Sequence, residues 1–306
     1  MKITILGAGA LGGYFGGRLV ENNARVTFLV LPARKARLDQ NGLRIESPLG
    51  STTLRVESRT ADTITPDADL VLLTCKAYDL DAAIATIQPA MGAGTAVLPI
   101  LNGLAHFDRL IAVFGRERII GGLAKIQATL GADGTILHLN DWNEIIFGEL
   151  DGRVSERVTA LHALFAKPKV NAQIATDIRM ELWKKLVHLS TVAAVTTLTR
   201  QSLGVVNAAA DGRWLIETTL AAAARIAAAE GFAMTDAYTA GYRKTFAGAG
   251  NAYKASMLRD MEKSGPAEGE HILGFMRDLA AKHGIDAPVF RIAAANVQAY
   301  EAGRGE

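Results

Sequence analysis

The stretch KITILGAGALGG, residues 2–13, decides the fold. A short β-rich run, KITILG, ends on glycine. It leads into G-A-G-A-L-G, which is Gly7, Ala8, Gly9, Ala10, Leu11 and Gly12. A helix-like segment, ALGGYFGGRLVENNA, overlaps and follows, and then a second apolar run, RVTFLV. Strand, glycine turn, helix and strand in that order form the context in which G-x-G-x-x-G binds a dinucleotide. Gly7 permits the tight turn, Gly9 lets the main chain approach a pyrophosphate, and Gly12 allows close helix packing. The following helix would offer its free N–H groups and positive dipole end to the phosphates.

Outward from this turn, the apolar runs ADLVLLTCK and GTAVLPILNG alternate with helix-like segments such as AYDLDAAIATIQPAM. Strands apolar on both faces and separated by helices predict a parallel sheet covered on both sides. The first 170 residues therefore read as an α/β Rossmann-type domain. After FAKPKVNAQIAT the pattern changes. Strand signals are absent, and long Ala/Leu-rich segments predict an all-α domain over 171–306. Thr176 is the expected N-cap of a helix beginning DIRMELWKKL. RWLIETTLAAAARIAAAEG stops at Gly231, and PAEGEHILGFMRDLAAKHG starts near Pro266 and ends at Gly284.

An acid at the end of the second strand would grip the ribose 2′-hydroxyl of NAD. Here RVTFLV is followed by Leu31-Pro32-Ala33-Arg34-Lys35, and the first acid is Asp39. The cations favour a 2′-phosphate, so NADP is expected, with Arg34 among its contacts.

The 306 residues are 49% hydrophobic and 21% charged, a soluble globular profile with a sizeable core. A net charge of +2 gives no reason to expect nucleic acid as a partner. The single cysteine, Cys75, allows no intrachain disulfide. Glycines arrive too early for a secretory core, and no apolar run has membrane-spanning length, so a cytoplasmic location is expected. The six histidines, His271 among them, have no zinc-ligand spacing, and no metal site is expected.

ELWKKLVHLS, residues 181–190, sets two lysines side by side in an apolar segment. On a helix, Leu182, Trp183, Leu186, Val187, Leu189, Val192, Ala193 and Ala194 form one broad apolar face. Lys184 points roughly 160° from its centre, and Lys185 roughly 100°. Lys184 is expected in solvent. Lys185 is expected at the buried edge, where partial desolvation lowers a lysine's pKa. A snorkelling lysine is the ordinary alternative.

These pieces together resemble the ketopantoate reductase (2-dehydropantoate 2-reductase) family along nearly the whole chain. The matching segments are ITILGAGALGGYFGGRL, LLTCKAYD (72–79), LNGL (101–104), ELWKKL (181–186), SMLRDMEKSGPAEGEHI (256–272) and KHGIDAPV (282–289). The resemblance implies NADPH-linked reduction of a 2-oxo acid to a 2-hydroxy acid, in pantothenate biosynthesis for the type reaction. It selects Lys185 as the proton donor, a role that suits an ammonium beside a carbonyl oxygen gaining charge. It implies that Glu268 orients substrate and lysine, that Ser256 contacts the substrate carboxylate, that Asn102 lies near nicotinamide and substrate, and that Lys76 lies beside the cofactor. Asn102 and Glu268 thereby count among both the substrate and cofactor residues.

Three positions depart from the family pattern. Leu31 stands where an arginine commonly meets the 2′-phosphate, which keeps NAD open. Leu189 and Ala193 stand where asparagines commonly contact the substrate. Loss of two amides favours a more apolar 2-oxo acid. Three functions follow: ketopantoate reductase, reductase of another 2-oxo acid, or non-catalytic dinucleotide sensor. An Ala-rich helix could pack internally or against a second subunit, which leaves a homodimer open.

Overall fold

The computed structural model describes residues 1–165, 169–248 and 250–304. The chain divides into two compact units. One comprises Met1–Leu101 with His106–Glu181, and the other Asn102–Ala105 with the chain from Leu182 onward.

The first unit runs β1 (Lys2–Leu6), α1 (Ala10–Glu21), β2 (Arg25–Leu29), α2 (Pro32–Asn41), β3 (Leu43–Glu46), β4 (Thr52–Leu54), β5 (Glu57–Arg59), β6 (Leu70–Leu73), α3 (Leu80–Ile87), β7 (Ala96–Pro99), α4 (His106–Phe114), β8 (Ile120–Leu130), β9 (Ile136–Glu149), α5 (Glu156–Leu164) and β10 (Asn171–Ile174). Its first sheet is wholly parallel, in the order β5-β2-β1-β6-β7. Alternation along the strands sends Leu70 and Leu72 into one core, with Ile3, Ile5 and Phe28. Val71 and Leu73 enter the core on the other face, with Leu29 and Val97. The strands are apolar throughout because both faces are covered.

A second sheet, in the order β10-β9-β3-β4 with β8 antiparallel to β9, was not foreseen. The long β8–β9 hairpin carries polar and apolar side chains on a half-exposed ladder, a pattern unlike the buried strands before it. The strand β10 falls where no strand signal was read. Its four residues, NAQI, alternate exposed and half-buried at the edge of this sheet and resemble a loop in composition.

The second unit is helical: α6 (Ile178–Thr199, entering from the first unit), α7 (Leu203–Ala208), α8 (Gly212–Ala229), α9 (Asp236–Phe246), α10 (Ser256–Glu262), α11 (Phe275–Lys282) and α12 (Pro288–Gly303). A π-helical turn, Glu270–Gly274, precedes α11. The cap of α6 is Asp177 rather than Thr176: its Oδ1 accepts from Met180 N at 3.0 Å. The middle of α6 is buried all round. Ser190, Thr191, Thr196 and Thr197 are all inaccessible, and the three threonine hydroxyls each donate at 2.7 Å to the carbonyl four residues back. That bond lets a polar residue face a core without an unmet donor. On α8, Ala222, Ala223 and Ala227 are buried and permit close packing.

Candidate active site

In the first unit, strand register sets the site. Leu6 pairs with Leu29 and with Leu73, and Leu73 pairs with Pro99. The chain therefore leaves β1, β2, β6 and β7 at one level, on the carboxyl edge where such sheets bind ligands. Because β1 lies between β2 and β6, the crossovers diverge there, and Gly7–Gly12 opens into the crevice.

Gly7 has φ +87° and donates its N–H to Leu29 O at 2.8 Å. A β-carbon on Gly12 would strike the Gly7 carbonyl and come within 2.6 Å of Thr74 Oγ1. Thr74 in turn donates to Leu6 O at 2.7 Å, tying β6 to the turn. Gly9, the N-cap of α1, has no side-chain cap, and a β-carbon there would meet nothing within 4 Å. Gly12 is thus glycine for packing and Gly9 for open space in front of a helix N-terminus, a cradle that fits a pyrophosphate. Ala8 is buried, whereas Ala10 and Leu11 are half-buried in the first turn of α1.

Leu31, the N-cap of α2, is 77% exposed. Arg34, half-buried, donates from Nη2 to Ala8 O at 2.7 Å and to Gly134 O at 3.1 Å. Lys35 pairs with Asp39 at 2.7 Å. Lys76 is half-buried just beyond β6, where it caps the short turn Ala77–Asp79.

In the second unit, Lys185 is half-buried on α6. Lys184 is half-buried too, which corrects the expectation of a solvated lysine. Its Nζ lies 5.0 Å from the centre of the Tyr238 ring, and its carbonyl accepts from Tyr242 Oη at 2.6 Å. Periodicity along α6 could not reveal a partner on α9. Leu189 packs against the helical core, and Ala193 is fully buried within it. Next to Lys185, His188 Nε2 meets Tyr253 Oη at 2.9 Å amid the rings of Tyr242 and Phe246.

The segment Asn102–Ala105 belongs to this second unit although both its flanks belong to the first. Gly103 has φ +84°, and a β-carbon there would lie 2.6 Å from His271 Cδ2 and 2.9 Å from Nε2. His271 also hydrogen-bonds the Asn102 main chain. Burial pushes its pKa below the ordinary value, against the pull of the nearby Glu268 carboxylate and of that bond. Glu268 is only 7% exposed. It precedes the π turn rather than sitting in a regular first helical turn, and its carbonyl accepts from Ile272 N at 3.2 Å. Gly269 beside it backs onto Val297 of α12. Asn102, Glu268 and His271 are thus drawn together. Ser256 is exposed at the start of α10.

Sequence reasoning missed Thr74, Gly103 and His271. Thr74 was within reach because it adjoins the end of β6, and Gly103 because it follows Asn102 in LNGL. His271 lies three residues after Glu268 inside a quoted motif, a helical spacing that brings side chains to one face. Among the described residues, no group of three or more His, Cys, Asp or Glu could hold a metal ion.

A family model described as ketopantoate reductase PanE/ApbA matches residues 3–152, and its C-terminal counterpart matches residues 177–301. The chain is 35% identical to an uncharacterized oxidoreductase, YkpB, of Bacillus subtilis, over 99% of each. It is 30% identical to a 2-dehydropantoate 2-reductase of Mesorhizobium japonicum, over 91% of each. Its fold superposes on the crystal structure of a 2-dehydropantoate 2-reductase from Geobacter metallireducens with a TM-score of 0.88 at 30% identity, covering 97% of this chain and 99% of that one.

Proposed function

Because the chain belongs to the ketopantoate reductase family, we propose that it reduces 2-dehydropantoate (ketopantoate) to pantoate with NADPH, as a cytoplasmic step of pantothenate biosynthesis. Gly7–Gly12, with Arg34 and Lys76 nearby, would hold the dinucleotide, which when bound would supply hydride to the carbonyl carbon. NADH is the alternative donor, since Leu31 offers no cation.

As the carbonyl carbon gains its new C–H bond, the C=O π pair moves onto oxygen. Lys185 Nζ stabilises that charge and gives up one proton to it. The products are the 2-hydroxy acid, the oxidised dinucleotide and a neutral amine that recovers its proton from water. Ser256 Oγ donates to the substrate carboxylate, and the Asn102 amide orients the carbonyl. Glu268 orients the substrate and the lysine.

The placement of Asn102 is the observation that carries this reading. A four-residue segment is set into the helical unit that already holds Lys185, Ser256 and Glu268. Asn102, alone among the expected N-terminal site residues, thereby shares a unit with the expected C-terminal ones, which supports its role beside the substrate.

A second substrate is favoured by one observation. Where substrate-binding amides are expected, Leu189 packs half-buried against the apolar core of that unit and Ala193 is buried in it. A site without those amides gains nothing from a substrate hydroxyl and suits a more apolar 2-oxo acid. A panel of 2-oxo acids that includes ketopantoate, followed at the nicotinamide absorbance with NADPH or NADH, separates the two. Preference for ketopantoate supports the first, and turnover of apolar acids alone supports the second. Dinucleotide binding with no turnover of any acid overturns both and leaves a sensor. No helix among the described residues is long and apolar enough to cross a membrane.

A further inference from the structure

Arg34 is the cation that the sequence offers to a 2′-phosphate, yet its guanidinium is engaged elsewhere. Nη2 donates twice, to Ala8 O at 2.7 Å and to Gly134 O at 3.1 Å. Nε is buried from solvent without a hydrogen-bond partner, so it is out of reach of a phosphate arriving from outside. Ala8 lies inside the glycine turn. Gly134 lies in the turn between β8 and β9, on the second sheet.

The β8–β9 turn is shaped to receive this side chain. Gly134 has φ +86°, and a β-carbon on it would run into Arg34 Nη1. The turn is closed by Gly134 N to Gly131 O at 2.9 Å and by Gly131 N to Thr135 O at 2.8 Å. Asp133 braces it through Thr135 N at 3.0 Å and Thr135 Oγ1 at 2.8 Å. Of the neighbouring positions, Lys35 is paired with Asp39, Leu31 carries no charge, and Arg37 lies exposed three residues beyond Arg34 along α2.

We infer that Arg34 is a positioning residue, which splints the Gly7–Gly12 turn to the β8–β9 turn and serves NADH and NADPH alike rather than selecting the 2′-phosphate. This rests on the dinucleotide role of residues 7–12. A charge-assisted bond to the Ala8 carbonyl holds the main chain on which the pyrophosphate sits, a part common to both dinucleotides. Preorganising a binding loop improves affinity by lowering the cost of ordering it on binding. The wild-type protein therefore discriminates only weakly between the two cofactors at this position.

The test is equilibrium titration of the full chain with NADPH and with NADH, read by nicotinamide fluorescence, without any 2-oxo acid. Melting temperature is recorded alongside. Arg34→Ala and Arg34→Lys should raise both dissociation constants by a similar factor, about tenfold, so that their ratio stays near that of wild type. Gly134→Ala, which crowds Nη1 without touching the charge, should shift both constants in the same direction. A merely architectural arginine would lower the melting temperature and leave the constants of the folded protein unchanged, and that result overturns the inference. A rise for NADPH alone also overturns it and makes Arg34 a 2′-phosphate ligand. Failure of wild type to bind either dinucleotide overturns the cofactor assignment itself, which the variants cannot mimic.

Discussion

Gly103 lies with its α-carbon against the imidazole of His271, so closely that a β-carbon would sit 2.6 Å from Cδ2. The neighbouring Asn102 main chain hydrogen-bonds the same ring. One histidine thereby fixes the loop that carries a candidate substrate residue. Gly103→Ala meets both the crowding and a φ of +84°. It should cost about 1–3 kcal/mol of stability, read by denaturant unfolding, and lower kcat/KM. A variant as stable and as active as wild type would contradict this contact.

The same histidine makes stability depend on pH. Burial lowers its folded pKa below the ordinary 6.5. Above 6.5 the ring is neutral in both folded and unfolded chains, and it contributes no pH dependence. As pH falls below 6.5, the unfolded chain takes up a proton that the folded chain resists, so stability is lost. His271→Gln should flatten the unfolding free energy against pH in the window just below 6.5. Parallel curves for the variant and wild type would refute a depressed pKa.

Gly9 and Gly12 should separate folding from cofactor binding. Gly12→Ala forces a β-carbon into the Gly7 carbonyl and Thr74, so it should lower the melting temperature. Gly9→Ala meets nothing within 4 Å and should melt like wild type while binding the dinucleotide at least about tenfold more weakly. Calorimetry and fluorescence titration check the pair. Normal binding by Gly9→Ala would show that the open space is not where the pyrophosphate lies.

Lys184 and Lys185 are both half-buried, so exposure does not tell them apart. Lys184 faces the Tyr238 ring, a contact worth about 0.5–1 kcal/mol at a partly exposed site. Lys184→Ala should therefore shift the unfolding midpoint slightly and change turnover less than about threefold. A collapse of activity in this variant would move the chemistry to the wrong lysine.

What could be read from the sequence follows from where each constraint lives. The β1–turn–α1 unit was legible because Gly7 and Gly12 answer local backbone demands, a positive φ and a close helix approach. The helical nature of the second unit was legible from composition and from stops such as Gly231, whose φ is +90°. The β8–β9 hairpin was not, because its half-exposed strands lack the continuous apolar run of β6 and β7. Thr176 and Asp177 are both good caps by residue type, and in the fold it is Asp177 that takes the Met180 N–H. The solvated face given to Lys184 failed because α6 is covered on nearly every side, which no single-helix periodicity can register. His271 escaped because its partners lie near residue 102, far away in sequence. The roles of Lys185, Asn102, Ser256, Glu268 and Lys76 came from motif resemblance. The fold adds the gathering of four of them in one unit.

The central proposal for this protein is that Lys185 delivers the proton in reduction of a 2-oxo acid. The most direct measurement is steady-state loss of the reduced-nicotinamide absorbance by wild type and Lys185→Ala, with ketopantoate and with apolar 2-oxo acids. The dissociation constants of the cofactor are measured in parallel. Wild type should turn over at least one of these acids. Lys185→Ala should lose about 10²–10⁴-fold in kcat while its cofactor affinity stays within about twofold of wild type. Equal turnover by the two proteins, or no turnover of any 2-oxo acid by a wild type that binds the cofactor, would contradict it.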